Sequence, residues 1–268
     1  VISFKYGVAS GDPTNTNVIL WTKILPIGNP EIRVRWEVST LSNFSNLVTF
    51  GHARTNSKND YTVKVDAKIP RQYNGKKLYY RFLADGKNSE IGTTSTLPLE
   101  NPTNFNIAFC SCSNYPAGYF NAYKEIANNE KINLVLHLGD YLYEYGHGGY
   151  GSKDAEKMGR IVNPRHEMLS LDDYRKRYAT YRSDADLKLL HQRKPMISVW
   201  DDHEFTNDSW KKGAQNHSDE EGSFAKRKNN ALQAYYEWMP IREKGRKDKI
   251  WRNFKVGNLI NLMMLDTR

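Results

Sequence analysis

Apolar and polar residues alternate along several short segments of residues 1–100. In residues 32–38, for example, an apolar or aromatic side chain recurs at every second position, which is the period of a strand with one buried face. Turn sequences such as Gly-Asp-Pro at 11–13 separate the segments. Short strands at this spacing predict an all-β sandwich domain over residues 1–100. The strand-like segments are 17–21, 32–38, 61–65 and 78–82.

The pattern changes after residues 98–102, a proline-bounded segment that indicates a linker. Residues 105–109 and 132–138 are short and almost wholly apolar, and residues 118–128 between them carry apolar side chains at helical spacing. A strand–helix–strand order with fully apolar strands is typical of parallel strands covered by helices. We therefore predict an α/β layer domain over residues 101–268.

Later segments add elements to this second domain. Ser170 precedes a helical segment, and Asp173 is placed to complete a capping box with it. The remaining predicted elements are a buried strand at 196–200, a helix at 223–238 and a hairpin of strands 250–256 and 259–265.

The chain of 268 residues carries a formal net charge of +9, which favours anionic partners in general. The basic clusters at 175–177 and 226–228 lie in helical contexts, where a solvated face is the simplest interpretation. No recognition helix, stacking platform or arginine-rich groove is evident, so specific nucleic-acid recognition is not expected. No apolar run approaches the ~18 residues of a membrane span. The sequence does not specify the oligomeric state.

The two ends of the sequence carry expectations of their own. The first residue is Val1 rather than methionine, as in a mature exported protein from which a leader has been removed. At the other end, the sequence stops at Arg268, three residues after an apolar run at 262–265. We expect the C-terminal part of the second domain to be missing.

A polar cluster follows each predicted buried strand of the second domain. In open α/β sheets, ligands gather outside the carboxyl ends of the strands, so the clusters are expected to converge. Taken singly, each cluster is equally compatible with a turn or a helix cap. Their occurrence at equivalent strand ends favours a common site. The clusters lie at residues 110–114, 139–143 and 201–208.

Asp140, Tyr143 and Asp202 are the residues of these clusters best suited to bind a cation. Gly139 permits a sharp exit from its strand, and Tyr143 lies close enough in sequence to Asp140 to reach the same ion. Carboxylates can bridge two cations, a phenolate suits trivalent iron, and oxygen ligands suit hard ions such as Ca²⁺ or Mg²⁺. The adjacent carboxylates Asp201 and Asp202 repel each other unless a cation or hydrogen bonds offset the repulsion. The set predicts a metal site.

The cysteines and one histidine lie near the same clusters. His137 lies inside an apolar strand and is expected to be packed behind the site, with Cys110 as a buried neighbour. A disulfide between Cys110 and Cys112 would close a tiny, strained ring, so a structural bridge is not expected. Thiols this close together are buried spectators, a redox pair or metal ligands.

The motifs Gly139-Asp140-x-x-Tyr143 and Asp202-His203-Glu204 resemble the second and third metal motifs of the purple-acid-phosphatase superfamily. More specifically, the chain resembles the alkaline phosphatase D family over nearly its full length. This resemblance implies a four-layer α/β metallophosphatase sandwich, preceded by a small all-β sandwich of immunoglobulin or fibronectin type. The segments that carry it are 7–13 and 18–22 in the first domain, and 109–123, 137–146, 200–207 and 265–268 in the second.

The resemblance also implies a ligand set. The family pairs Fe³⁺ with Ca²⁺ (or another divalent metal), and a cysteine thiolate replaces the usual first aspartate, a position held here by Cys112. Asp140 would bridge the metals, Tyr143 would bind the iron and Asp202 would bind the calcium. His203 would sit beside the phosphate and stabilise charge on its oxygens.

The expected reaction is hydrolysis of a phosphate ester by attack of a metal-bound oxygen, with His203 and Asp140 as the catalytic residues. Asn207, Arg165 and Arg175 are weaker candidates for substrate contacts. The preference for monoesters or diesters stays open. The alternatives are a phospholipase or phosphodiesterase of the same fold, and a catalytically inactive remnant that binds polyanions. Because calcium is plentiful outside the cytoplasm and the family is typically exported, we expect a periplasmic or extracellular protein.

Overall fold

The structure is a computed structural model that describes residues 2–243, 245 and 248–268. Val1, on which the expectation of a removed leader rests, lies outside the described residues. The described residues form mixed sheets with few helices. The strands of the first part are β1 (Val8–Gly11), β2 (Asn17–Lys23), β3 (Ile32–Ser39), β4 (Leu47–Thr55), β5 (Thr62–Lys68), β6 (Leu78–Ala84), β7 (Lys87–Asn88) and β8 (Gly92–Thr94).

An antiparallel sheet in the order β4-β3-β6-β7, with β8 paired to β6, confirms the strand pattern of the first part. Along β6 buried positions alternate with half-buried ones, so Leu78, Tyr80 and Phe82 enter the core, as the period of two requires. Strand β4 was not predicted. It lies at the edge of this sheet, and its side chains are mostly exposed or half-buried, so its apolar pattern is weak.

The second part contains the remaining elements, and the predicted ones are present with shorter bounds. The elements are β9 (Ile107–Cys110), α1 (Asn121–Asn128), β10 (Leu134–His137), α2 (Leu171–Tyr181), α3 (Ala185–Arg193), β11 (Met196–Ser198), β12 (Ser209–Trp210), β13 (Gly213–Ala214), α4 (Phe224–Trp238), β14 (Arg252–Val256) and β15 (Ile260–Met264).

Strands β9, β10 and β11 are parallel, which confirms the prediction for the second part. They belong to a six-stranded sheet in the order β5-β2-β1-β11-β10-β9. The sheet therefore includes strands of the first part, because β1 pairs with β11 in parallel at Gly11 and Met196. A Cβ atom on Gly11 would lie 2.6 Å from the carbonyl oxygen of Met196 and 2.2 Å from that of Pro240, so the close approach requires glycine. The proposed boundary near residue 100 stays a prediction.

Neighbouring residues of β1 and β2 belong to different cores. Ala9 and Trp21 enter one buried cluster, whereas Val8 and Leu20 enter another. Because successive side chains of a strand point to opposite faces, the shared sheet separates the two cores.

Caps define the helices next to the site. Ser170 Oγ accepts a hydrogen bond from the Asp173 amide at 3.2 Å, and Asp173 Oδ2 accepts one from the Ser170 amide at 2.8 Å, so the predicted capping box is confirmed. Helix α3 was missed, although Asp184 caps it by accepting from the amides of Asp186 and Leu187. The hairpin of β14 and β15 is confirmed. None of the helices in the described ranges is long and apolar enough to cross a membrane.

Candidate metal centre

The segments that follow β9, β10 and β11 meet at one edge of the sheet. Because His137 is in register with both Cys110 and Ser198, the three strands end at the same level. The Cys112 amide donates to the Gly139 carbonyl at 3.2 Å, and the Ser113 amide donates to the Asp140 carbonyl at 2.8 Å. The polar clusters therefore converge, as the order of elements predicted.

The backbone at these strand ends is left-handed at two proposed ligands. Cys112 has φ 58° and Asp140 has φ 53°, a conformation that non-glycine residues adopt uncommonly and that clusters at functional sites. Gly139, with φ 107°, lies against the third segment, and a Cβ atom there would be 2.4 Å from the Asp201 amide nitrogen. Glycine is therefore required where the two segments touch.

Two of the proposed ligands converge on one oxygen of Asp140. The Cys112 thiol lies 3.4 Å from Asp140 Oδ2, and the Tyr143 hydroxyl lies 3.4 Å from the same atom. On the other side of the carboxylate, the His203 amide is 3.4 Å from Oδ1. Asp140 is thus the common neighbour of the three strand-end segments.

Asp140, Asp202 and His203 each offer a ligand atom within 4.8 Å of the other two; the two aspartates are buried and His203 is half-buried. Burial raises the pKa of Asp140, and the charges of Asp201 and Asp202 raise it further, against a lowering effect of His203. Burial and the Asp140 charge likewise raise the pKa of Tyr143. A bound cation would favour the anionic forms of all these groups, so the donor set fits a metal centre.

Arg268 supplies positive charge to the paired carboxylates. Its Nε atom lies 2.5 Å from Asp201 Oδ1, and its Nη2 atom lies 3.1 Å from Asp202 Oδ1. The Arg268 guanidinium therefore reduces the repulsion expected between the carboxylates of Asp201 and Asp202.

Glu144 is a residue of the site that the sequence analysis missed. Its side chain is fully buried, and its Oε2 atom lies 2.7 Å from His203 Nδ1. Oε1 accepts from the Asn207 amide at 2.7 Å and from Asn216 Nδ2 at 2.9 Å. Burial alone would raise the pKa of Glu144, but these hydrogen bonds and the His203 charge lower it. The only signal in the sequence was an acidic residue directly after Tyr143.

The ring of His203 contacts the Glu144 carboxylate and two tyrosine rings. Burial alone would lower the pKa of His203, but the hydrogen bond and charge of Glu144, together with Asp140 and Asp202, raise it. The ring centroid of Tyr143 lies 4.1 Å from that of His203, and the Tyr145 centroid lies at 5.7 Å. Glu144 and the two tyrosine rings thus hold the His203 imidazole beside the carboxylates.

His137 is buried as predicted, whereas Cys110, predicted to be buried, is half-buried. His137 is fully buried, with Nε2 3.1 Å from Ser113 Oγ and 3.0 Å from Tyr123 Oη, and burial lowers its pKa to about 3. Both cysteines are free, and burial raises the pKa of Cys110 to about 12. Cys110 is therefore a neutral neighbour of the site, whereas Cys112 is exposed beside Asp140.

The weaker candidates for substrate contacts are engaged elsewhere or exposed. The Asn207 amide group donates to Gln215 Oε1 at 2.9 Å. The Arg175 guanidinium forms two hydrogen bonds with the Glu237 carboxylate, at 2.7 Å and 2.6 Å. Arg165 is exposed. Their role in binding substrate stays a prediction.

Two family models match adjacent parts of the chain. Residues 107–268 match the PhoD-like phosphatase family, and residues 2–98 match the N-terminal domain of PhoD-like phosphatases. Alkaline phosphatase D of Bacillus subtilis (strain 168) is 39% identical over 280 residues, which cover 99% of this chain and 46% of that protein. A solved structure of PhoD superimposes with a TM-score of 0.89 at 39% identity and covers 99% of this chain and 52% of its own. The chain thus spans about half the length of the relatives it matches.

Proposed function

Because the chain belongs to the family of PhoD-like phosphatases, we propose that it hydrolyses phosphate esters at the centre formed by Asp140, Asp202 and His203, with bound metal ions. The observation that carries the proposal is the convergence of Cys112 and Tyr143 on one oxygen of Asp140. A thiol, a phenol and a carboxylate at one point are a mixed sulfur and oxygen donor set that suits a transition-metal ion such as iron.

We propose that Cys112, Asp140, Tyr143 and Asp202 hold Fe³⁺ and Ca²⁺. The phenol and the thiol suit the iron, and the carboxylates suit either ion. Metal ions held by these residues would activate the attacking water and neutralise charge on the phosphate and the leaving oxygen.

His203 would act on the phosphate itself. The ionised Glu144 can only accept a hydrogen bond, so Nδ1 of His203 carries a proton and donates to it. The other ring nitrogen, Nε2, would donate to a phosphoryl oxygen as charge develops there, and the raised pKa of His203 favours the protonated ring that this role requires. One such donor is often worth ~3 kcal/mol of transition-state stabilisation.

An inactive remnant that binds polyanions is not favoured. A remnant would have no reason to retain thiol, phenol, carboxylate and imidazole groups around one oxygen atom. We propose a phosphomonoesterase with diesterase activity as a second capacity, and the same catalytic residues would serve both substrates.

We also propose the layering of the two domains and the compartment in which the protein acts. The resemblance supports an immunoglobulin-like sandwich over residues 1–100 and a four-layer catalytic sandwich over residues 101–268. The separate cores on the two faces of the shared sheet are compatible with this layering. We place the protein in the periplasm or outside the cell, where calcium is available.

Removal of metal tests the proposal. Protein dialysed against a chelator should lose hydrolysis of p-nitrophenyl phosphate and regain it when Fe³⁺ and Ca²⁺ are restored. A parallel assay with bis(p-nitrophenyl) phosphate defines the ester class. Equal turnover before and after removal of metal, verified by elemental analysis, would overturn metal dependence.

A further inference from the structure

Glu204 lies directly behind the metal centre and contacts two of its segments. Its side chain is buried, with 1% of the residue exposed. Oε2 accepts hydrogen bonds from the Asp140 amide at 3.0 Å and the Asp201 amide at 2.9 Å, and Oε1 accepts one from the Tyr141 amide at 2.7 Å. One carboxylate thus binds backbone amides on the segments that follow β10 and β11.

Both oxygens of Glu204 act as acceptors for these amides, and burial raises its pKa to about 8 against the lowering effect of the amide hydrogen bonds. In the described ranges, no lysine or arginine forms an ion pair with it. A buried carboxylate is stable only with strong partners, and successive backbone amides that point at one anion provide such partners. The two segments therefore depend on the carboxylate, because without it their amides would be buried and unpaired.

The amides that donate to Glu204 belong to the proposed ligands or to residues next to them. Asp140 itself donates one of them while its backbone is held in the left-handed conformation. The Asp201 amide lies one peptide before Asp202. The Gly139 backbone also packs closely against Asp201. The Glu204 carboxylate therefore joins two segments that are already in close contact.

We propose that Glu204 is a positioning residue, whose carboxylate holds the two ligand-bearing segments together so that Asp140 and Asp202 stay at ligand spacing before metal arrives. The inference rests on the proposed function, because it gives Asp140 and Asp202 their role. Because both of its oxygens already accept hydrogen bonds from backbone amides, Glu204 would not itself be a ligand. Its contribution is preorganisation, which improves metal affinity without supplying a ligand.

The test compares Glu204→Gln with the unaltered protein by amide hydrogen exchange and by metal retention. A glutamine keeps one oxygen acceptor but presents an NH₂ group in place of the other oxygen. Exchange at one or more of the amides of Asp140, Tyr141 and Asp201 should become at least about tenfold faster. Apparent metal affinity, measured by competition with a chelator, should fall about 10–100-fold. Glu204→Asp, which retains the charge on a shorter side chain, should retain more metal than Glu204→Gln.

Glu31→Gln is the control, because it makes the same chemical change in the exposed Glu31–Arg54 pair, which contributes little to stability. It should leave exchange at the three amides and metal affinity unchanged. Faster exchange in Glu204→Gln with undiminished metal affinity would overturn the positioning role, as would unchanged exchange. If the unaltered protein itself binds no metal, the proposed function fails instead. The exchange data would still show whether Glu204 stabilises the two segments through its hydrogen bonds to their amides.

Discussion

The Nδ1 atom of His203 lies 2.7 Å from the Oε2 atom of Glu144, and the carboxylate of Glu144 is completely buried. The two residues follow different strands of the sheet, so the contact forms only when the strand ends meet. The contact fixes Nδ1 of the imidazole. The other nitrogen, Nε2, is the one that we propose contacts the substrate. The role of His203 therefore depends on Glu144, which would act on the substrate only through the His203 ring.

Replacing Glu144 should change the pH dependence of catalysis. Because Glu144 raises the pKa of His203, Glu144→Gln should let the imidazole lose its proton at lower pH. The alkaline limb of the kcat/KM profile should then move to lower pH, and activity should fall about 10–100-fold. Glu156→Gln is the control, because Glu156 pairs with His147 on the surface. An unmoved alkaline limb in Glu144→Gln would exclude protonated His203 as the phosphate contact.

Replacing Tyr143 should remove the optical signature of a tyrosinate–iron bond. Tyr143→Phe retains the ring that packs on His203 and loses only the hydroxyl beside Asp140. Visible absorbance of the purified protein should decrease strongly or shift, while the control Tyr145→Phe should retain it. If both variants keep the same spectrum, Tyr143 does not bind iron.

Glu37 should make stability depend on pH. Burial alone would raise the pKa of Glu37, but hydrogen bonds and charge from Arg35 and Arg81 lower it. A lowered pKa contributes stability above the pKa of the unfolded chain, and this stability is lost as pH falls through the folded pKa. Glu37→Gln should therefore reduce the free energy of unfolding by about 1–3 kcal/mol at neutral pH, with a smaller difference in acid.

The control for this prediction is Glu31→Gln, because the Glu31–Arg54 pair is exposed and contributes little. Urea unfolding at several pH values measures both variants. A Glu37→Gln difference that stays constant down to strongly acidic pH would contradict the assignment of this stability to the charge of Glu37.

The capping box of α2 should contribute measurably to stability. Ser170→Ala removes the acceptor for the Asp173 amide at the start of the helix. The expected loss is ~1 kcal/mol in the free energy of unfolding, measured by urea denaturation. Ser45→Ala, in an exposed loop, should have almost no effect. Equal stabilities of the two variants would show that the cap is dispensable.

The convergence of the strand-end segments and their polar side chains was predictable, but the residues that support them were not. Cys112, Asp140 and Tyr143 follow apolar strands, so local sequence placed them at one edge of a sheet. Glu144 and Glu204 act on partners 59 and 64 residues away, a distance over which local spacing gives no signal. Pairing between β1 and β11 was hidden for the same reason, because it joins Gly11 to Met196 across most of the chain.

The central claim is most directly tested by the turnover of p-nitrophenyl phosphate by Asp140→Asn. Asparagine tolerates the left-handed backbone at this position and removes only the charge that the cysteine, tyrosine and histidine surround. Turnover should fall about 100-fold or more, whereas Asp154→Ala, at an exposed carboxylate, should retain normal turnover. Hydrolysis by Asp140→Asn at the rate of the unaltered protein would contradict a phosphoesterase centre built on Asp140.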